Sequence, residues 1–183
     1  MEAFEQFVAL AMETENLIVS GGHKFPVRLQ TRKTMHAEFQ THGFEVDLIG
    51  ARIDRLVLAS VKSYFGSYGV AFHHLNGESA QYAKRYTLLN NERVRESVVR
   101  QAAERFGYDE SQVELRLYVG KFANGHEDRC REWCSEQVVA GKPIRVIAGR
   151  EVVTIVKGVA AATQYRDDAV LATMKVLQET GAL

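Results

Sequence analysis

Residues 44–64 contain two strand-like stretches that are separated by a short turn. "FEVDLIG" (44–50) alternates apolar and polar side chains, and "RLVLASVKSY" (55–64) is apolar or β-branched at positions that face both sides of a sheet. The connection between them is too short for a crossover, which predicts an antiparallel pair. The second stretch is typical of a central strand that is covered on both sides.

The patterns on either side of this hairpin predict the remaining elements. Residues 3–15 have the spacing of an amphipathic helix, "SGGH" (20–23) breaks the pattern, and "KFPVRLQT" (24–31) alternates as a first strand, where Pro26 suits an edge. The predicted order continues with a helix from Asn91 to Gly107, a strand at 113–122, a helix at 126–141, a strand at 142–149, and two helices within 151–181 that divide near Tyr165.

This order predicts one α/β domain over residues 1–183. The three early strands are joined too tightly for crossovers and should form an antiparallel meander, whereas the later strands arrive through helices and should run parallel to a neighbour. The expected architecture is a mixed central sheet of about five strands between two helical layers. With 183 residues, 46% of them apolar, the chain is long enough to bury a core of that kind.

Composition narrows the functional classes only slightly. Lysine plus arginine and aspartate plus glutamate both number 23, so net charge does not indicate nucleic-acid binding, although a local basic patch would suffice. No window approaches 18 uninterrupted apolar residues, which predicts no membrane span. The first residues are acidic where a signal peptide would be basic, and a cytoplasmic location is therefore expected.

The two cysteines do not form a convincing zinc site. Cys130 and Cys134 lie four residues apart on one face of a predicted helix, with His126 one turn earlier. A structural zinc needs four ligands, and no second Cys/His pair at ligand spacing is present. We expect reduced, partly buried thiols.

Polar side chains gather on one face of the central hairpin. Glu45 and Asp47 are two residues apart in the second strand, and Ser60 and Lys62 are two apart in the third. If the register places Asp47 beside Ser60 and Lys62, one surface carries two carboxylates, a hydroxyl and an ammonium. Carboxylates are preferred ligands of Mg²⁺, which polarises phosphoryl oxygens and acidifies bound water.

"VDLIGARIDRLVLASVKS" (46–63) resembles the core of the PD-(D/E)xK nuclease superfamily, and is particularly similar to archaeal Holliday-junction resolvases. The pattern in that family is an acid in one strand, a turn, and an apolar run that ends in Glu-x-Lys. The resemblance covers residues 1–122 as a nuclease-like core, with 123–183 as an extension of the same domain. It implies a three-layer restriction-endonuclease-like fold, a DNA substrate, Mg²⁺ or Mn²⁺ as cofactor, and a homodimer.

The resemblance also implies roles for individual residues. Asp47 matches the first metal-binding acid and Lys62 matches the catalytic lysine. Glu5 is the best match for a glutamate that the first helix often contributes, with Glu2 behind it. Ser60 stands where the family has its second acid, and a serine hydroxyl is a poorer Mg²⁺ ligand than a carboxylate.

Three interpretations follow from this departure. Glu45 could supply the missing carboxylate, which gives a metal site of Asp47 and Glu45 and a DNA endonuclease with a variant site. The scaffold could instead be catalytically inactive and bind nucleic acid or a protein partner. In the third interpretation, Asp47 and Lys62 form a cross-strand ion pair in an unrelated α/β domain.

Two basic segments are candidates for nucleic-acid binding. Residues 22–62 hold seven Lys/Arg against four Asp/Glu, and Arg28, Arg32 and Lys33 lie in "RLQTRKTMHAEFQTHG" (28–43), which leads from the end of the first strand to the second. That connection could equally be a solvated hairpin tip.

The second basic segment, at residues 63–86, interleaves aromatic residues with Lys84 and Arg85, a pattern that can stack bases while cations hold the backbone. The alternative is that the aromatic side chains fold back as a satellite core. The aromatic residues concerned are Tyr64, Phe65, Tyr68, Phe72, Tyr82 and Tyr86.

Overall fold

The computed structural model of the protein describes residues 2–30, 39–162 and 167–182. The strands are β1 (Ile18–Gln30), β2 (Phe39–Arg52), β3 (Arg55–Lys62), β4 (Val113–Val119), β5 (Val138–Val139), β6 (Lys142–Pro143) and β7 (Arg145–Ala148). The α-helices are α1 (Ala3–Glu13), α2 (Phe72–Leu75), α3 (Ala80–Ala83), α4 (Thr87–Asn90), α5 (Glu92–Phe106), α6 (Glu127–Glu136), α7 (Gly149–Ala160) and α8 (Ala169–Glu179). Two single 3₁₀ turns lie at Lys84–Tyr86 and Glu110–Gln112.

The main sheet has five strands in the order β1-β2-β3-β4-β7. Strands β1, β2 and β3 pair antiparallel, and β4 pairs parallel with both β3 and β7. Helix α5 lies between β3 and β4 in the chain, and α6 between β4 and the short β5–β6 hairpin that leads into β7. The predicted mixed sheet, with its antiparallel meander and later parallel strands, is confirmed.

Both faces of the sheet are covered by helices. Leu56 and Leu58 of β3 belong to the hydrophobic cluster that contains the buried sides of α5 and α6. Val57 and Ala59 belong to a second cluster with α1, α7 and α8. The alternation therefore buries β3 on both sides, as its sequence predicts. No helix among the described residues is long and apolar enough to span a membrane.

The edge strand β1 is longer than the sequence predicts. It begins at Ile18 and continues through the "SGGH" segment, whose Gly22 adopts a φ of 72°. Backbone pairing with β2 maintains the strand here, so an apolar pattern is not required. Pro26 lies in this edge strand, where its missing N–H disrupts no central ladder, as predicted.

The predicted helix at 126–141 ends five residues early. After Glu136 the chain forms the β5–β6 hairpin, whose two turn residues, Ala140 and Gly141, have φ angles of 51° and 80°. Two successive positive φ angles are typical of a tight hairpin turn. The predicted strand 142–149 is interrupted at Ile144, which separates β6 from β7. Helices α7 and α8 match the last two predicted helices, and Tyr165 lies outside the described residues.

The aromatic segment after β3 is divided between core and surface. Tyr86 is buried in the α5-side cluster, and Tyr64 and Phe72 pack against that cluster. Phe65 and Tyr68 remain exposed. The satellite-core interpretation therefore holds for part of the segment, whereas Tyr82 is half-buried and Phe65 and Tyr68 face solvent.

Arg116, a fully buried arginine on β4, forms an ion pair with Glu15, two residues after α1. The two terminal nitrogens of Arg116 lie 2.7 and 3.0 Å from the two carboxylate oxygens of Glu15, and Nη2 also lies 2.9 Å from Glu114 Oε2. The Tyr118 hydroxyl is 3.3 Å from Arg116 Nη1. A buried charge is tolerated only with such partners, so this cluster links the first helix to the sheet.

Candidate functional site

Asp47 lies where the regular pairing of β2 is interrupted. The β2–β3 register ends at Leu48 opposite Ala59, so Asp47 is the next residue beyond it. On the other edge of β2, Asp47 and Gly22 are skipped in the pairing with β1, although the register is unchanged on both sides of them. The sheet opens between β2 and β3 at this residue.

The Asp47 carboxylate takes the place of the missing backbone partner. Its Oδ2 atom accepts a hydrogen bond from the Val61 N–H at 2.6 Å and one from the Ser60 hydroxyl at 3.3 Å. Lys62 Nζ lies 3.5 Å from the same oxygen. The structure therefore brings together Asp47, Ser60 and Lys62. Within the described part of the chain, Asp47 Oδ1 has no hydrogen-bond partner.

The pair of Asp47 and Lys62 is partly shielded from solvent. Their side chains are 20% and 19% exposed, and Ser60 is buried. Attraction between charges is stronger in such a setting than on an open surface, because the effective dielectric constant is lower. The carboxylate thus has a fixed orientation while one side of the site stays accessible.

The faces of β2 do not alternate regularly through this site. Val46 and Ile49 both pack in the α5-side cluster, although they are three residues apart, and Leu48 packs in the α1-side cluster. A regular strand would place Val46 and Leu48 on one face. The regular alternation predicted for residues 44–50 places Phe44, Val46 and Leu48 on one face and Glu45, Asp47 and Ile49 on the other. This prediction is wrong at Leu48 and Ile49, because the alternation slips at the interruption beside Asp47.

Glu45 lies on an exposed part of the hairpin. Its side chain is 50% exposed and its carboxylate is 3.6 Å from Lys24 Nζ on the neighbouring strand. Among the described residues, no cluster of three His, Cys, Asp or Glu side chains is placed to hold a metal ion. The structure joins Asp47 to Ser60 and Lys62 and pairs Glu45 with Lys24.

Of the two glutamates that the resemblance singles out, Glu2 rather than the first choice, Glu5, contacts the residue after β3. The Glu5 carboxylate turns back to accept the Glu2 N–H at 2.9 Å, which caps the start of α1. Glu2 Oε2 lies 3.5 Å from the hydroxyl of Ser63, the residue after Lys62. The pattern of two glutamates three residues apart at a helix start is a capping-box signal, and it could have identified the role of Glu5 from sequence.

The candidate nucleic-acid contacts lie on two separate surfaces. Arg28 is exposed on β1, with its guanidinium carbon 5.1 Å from the centre of the Phe39 ring. Lys84 and Arg85 are exposed on the segment that follows β3. Arg32 and Lys33 lie outside the described residues.

The cysteines are buried free thiols, more deeply buried than the sequence predicts. Burial raises the pKa of both Cys130 and Cys134 to about 12, so neither is a thiolate at neutral pH. His126 accepts a hydrogen bond from the Phe72 N–H through Nδ1. Cys130 and Cys134 therefore belong to the hydrophobic core, and His126 links the start of α6 to the start of α2.

No protein-family model matches the chain, and no curated protein is significantly similar to it. The chemistry and geometry of the site are therefore the basis on which its function is inferred.

Proposed function

We propose that the protein is a Mg²⁺-dependent, endonuclease-like enzyme that hydrolyses phosphodiester bonds of DNA with a variant metal site. The observation that carries this proposal is the contact of Lys62 with Asp47, 3.5 Å apart at the point where β2 and β3 stop pairing. An acid and a lysine on adjacent strands at such an opening form the minimal constellation of the nuclease family that residues 46–63 resemble. The order of one helix, three strands, a helical crossover and a fourth strand supports the restriction-endonuclease-like fold.

The acid at this opening suits a hard divalent cation that the substrate helps to bind. Mg²⁺ is commonly held by one or two carboxylates together with substrate phosphates, and it retains several waters. Asp47 offers its Oδ1 oxygen, and Glu45, two residues earlier on β2, is the second acid in the proposal. When bound, Mg²⁺ or Mn²⁺ would polarise a phosphoryl oxygen and acidify a water molecule.

The protein's own residues hold the reactive groups in place. The Val61 N–H and the Ser60 hydroxyl both donate to Asp47 Oδ2, so the carboxylate cannot rotate freely and Oδ1 stays turned away from these donors. Hydrogen bonds to an ionised acceptor are among the stronger ones in proteins. The Lys62 ammonium, adjacent to the same carboxylate, is placed to neutralise a phosphate oxygen or orient the attacking water.

The open face of the β1–β2 hairpin provides a surface for the DNA backbone. Phe25 and Val27 pack inward against the α5-side cluster, which leaves Lys24 and Arg28 exposed on the opposite face. The net charge of the protein is zero, so attraction of DNA would depend on local cations such as these. Contacts between cations and phosphates position a duplex but do not distinguish its base sequence. This surface continues along β2 to Asp47.

The direct test is cleavage by the purified protein. We expect products from single-stranded, nicked or branched DNA in the presence of Mg²⁺ or Mn²⁺, and none when EDTA is added. End-labelled substrates resolved on denaturing gels would give both the extent and the position of cutting. A protein that leaves all three substrates intact with either metal would contradict the proposal.

A second candidate is a non-catalytic module that binds nucleic acid or a protein partner. It is favoured by the buried Ser60 in place of a second acid, and by the lack of a three-acid cluster among the described residues. This candidate predicts DNA affinity that falls steeply with salt but survives Lys62→Ala. A protein that binds no nucleic acid at any salt concentration would point to a protein partner.

A Ser60→Glu variant separates these two candidates. We expect the new carboxylate beside Asp47 to raise metal affinity, so that Mn²⁺ increases the melting temperature of the variant more than that of the wild type. Ser60→Gln is the matched control, because it adds a similar volume without charge at this buried position. A gain in metal affinity or cleavage would favour an incomplete site, whereas equal Mn²⁺ effects in all three proteins would show that position 60 is not the missing ligand position.

A further inference from the structure

A cavity of about 430 Å³ lies beside the end of β3, in the segment that connects β3 to α5. Four tyrosines, two histidines and an arginine contribute to its wall: Tyr64, Tyr68, Tyr82, Tyr86, His73, His74 and Arg85. Its size is in the range of small-molecule sites, which combine flat apolar walls with a few polar groups. The proposed cleavage site does not use any of these side chains.

One wall of the cavity is a stack of flat groups. The rings of His74 and Tyr82 are 4.1 Å apart and inclined by 36°, and the guanidinium carbon of Arg85 lies 5.2 Å from the centre of the Tyr82 ring. Tyr68 contributes a ring that is 64% exposed. A planar aromatic ligand can extend such a stack, because every ring presents a π-face.

The charges around the cavity favour an anion. None of its lining residues is an Asp or Glu, and Arg85 is its permanent cation. Burial, together with the nearby charges of His73 and Arg85, lowers the pKa of His74, so this ring is neutral at pH 7 and offers a hydrogen-bonding nitrogen. The cavity thus combines stacking surfaces, a neutral polar ring and one cation.

The backbone around the cavity is held in one conformation. Tyr64 adopts a φ of 46°, which is rare for a bulky residue, and Gly69 adopts 98°. A side chain at Gly69 would come within 2.6 Å of the Phe122 carbonyl carbon, so the loop packs directly on the chain that follows β4. Lys121 Nζ donates to the Ser67 carbonyl at 2.6 Å and fixes the same loop. The cavity is therefore formed before any ligand arrives.

We infer that this cavity binds one nucleotide unit, with its base extending the stack built on Tyr82 and its phosphate on Arg85. The combination of aromatic stacking with a single cation and no carboxylate matches a nucleobase linked to a phosphate. This inference rests on the proposed function. Because Tyr64 of the cavity lies two residues after Lys62, a DNA strand with one nucleotide in the cavity would have the phosphate of the next nucleotide beside Asp47. The cavity would then position a nucleotide next to the bond that is cut.

The test measures binding without cleavage. Calorimetry in EDTA would compare deoxyadenosine monophosphate, deoxyadenosine and inorganic phosphate with the wild-type protein. We expect the mononucleotide to bind more tightly than the nucleoside or phosphate alone, and its affinity to fall about fivefold or more in Tyr82→Leu, since base stacking on an aromatic side chain has at least that effect. Arg85→Gln should bring the affinity for the mononucleotide close to that for the nucleoside. Arg100→Gln, an exposed arginine on α5, is the matched control and should bind as the wild type does.

The outcomes separate the possible ligands. If inorganic phosphate binds as tightly as the mononucleotide, or if no mononucleotide binds, the inference is overturned. A short single-stranded oligonucleotide should displace the mononucleotide. If it does not, the cavity takes free nucleotides only and the role in positioning a strand is lost.

The same measurement distinguishes failure of the cavity from failure of the cleavage site. Asp47→Asn should leave mononucleotide binding unchanged. Mononucleotide binding without any DNA cleavage would refute the proposed enzyme activity and support the nucleotide site. Cleavage without mononucleotide binding would support the activity and refute the nucleotide site.

Discussion

Asp47→Asn is expected to reduce metal-dependent DNA cleavage by about 100-fold or more, because the substitution removes the negative charge that a divalent cation and Lys62 both need. The asparagine side chain has almost the same shape, and its oxygen can still accept the hydrogen bond from the Val61 N–H. Folding should therefore be largely preserved, and the loss of cleavage would reflect a slower chemical step. Lys62→Met is expected to have an effect of similar size, since it retains most of the aliphatic chain and removes only the ammonium.

Single-turnover cleavage of an end-labelled branched substrate would measure both losses, with circular dichroism and thermal unfolding to check the fold. Asp54→Asn is the matched control: it neutralises an exposed aspartate at the opposite end of the same hairpin, where its partner is Arg52. This control should cut at the wild-type rate. If Asp47→Asn and Lys62→Met also retain that rate, any cleavage observed comes from another site or a contaminant.

Glu15→Ala is expected to lower the free energy of unfolding by about 3–5 kcal/mol, the usual cost of removing one partner of a buried ion pair. Arg116 is fully buried, and both of its terminal nitrogens contact the Glu15 carboxylate. Without Glu15, the guanidinium keeps its charge and retains only Glu114 and the Tyr118 hydroxyl. Urea unfolding followed by circular dichroism would measure the loss.

The pH dependence of this effect has a definite sign. Burial alone would raise the pKa of Glu15, but the hydrogen bond and charge of Arg116, together with the charges of Arg55 and Arg145, outweigh burial, so the pKa in the folded protein lies below its ordinary value of 4.5. The stabilisation is therefore fully present above about pH 4.5, and it is lost as the pH falls through the lower folded pKa. Glu15→Gln should lack this part of the acid destabilisation that the wild type shows.

The control for this prediction is Glu132→Ala, which removes an exposed glutamate on α6. Substitutions at such surface positions usually change stability by less than about 0.5 kcal/mol. If Glu15→Ala loses no more stability than Glu132→Ala, the contact of Arg116 with Glu15 does not support the fold in the way its geometry indicates.

Much of the fold was predictable because its signals are local. Strand alternation, a short turn and helical spacing each depend on residues close in sequence, and connection length decides whether neighbouring strands run antiparallel or parallel. The element boundaries that differ from the prediction have local backbone causes. The positive φ angle of Gly22 allows β1 to extend through "SGGH", and the positive φ angles of Ala140 and Gly141 form a hairpin that was not predicted. Single turns of this kind leave little periodic signal in a sequence.

The candidate site was predictable in part. The antiparallel hairpin placed Asp47 opposite Ser60 and beside Lys62, as the spacing of these residues suggests. The hydrogen bond from the Val61 backbone and the slip of alternation at Ile49 could not be foreseen, because both arise where the pairing of β2 is interrupted. The contact of Glu2 with Ser63 could not be foreseen either, because it joins residues 61 positions apart.

The amino-acid sequence by itself determined the order of the main elements, the sense in which the strands of the main sheet pair, and the coverage of β3 on both faces, since these follow from periodicity and connection length. Only the tertiary structure decided which distant groups meet. Glu15 and the buried Arg116, 101 residues apart, form an ion pair because α1 packs against the sheet over β1, β2 and β3, so that the residues after α1 reach β4. The tyrosine-lined cavity exists because the segment after β3 folds against the chain beyond β4. Contacts of this kind depend on the positions of whole elements, and no local pattern of residues encodes them.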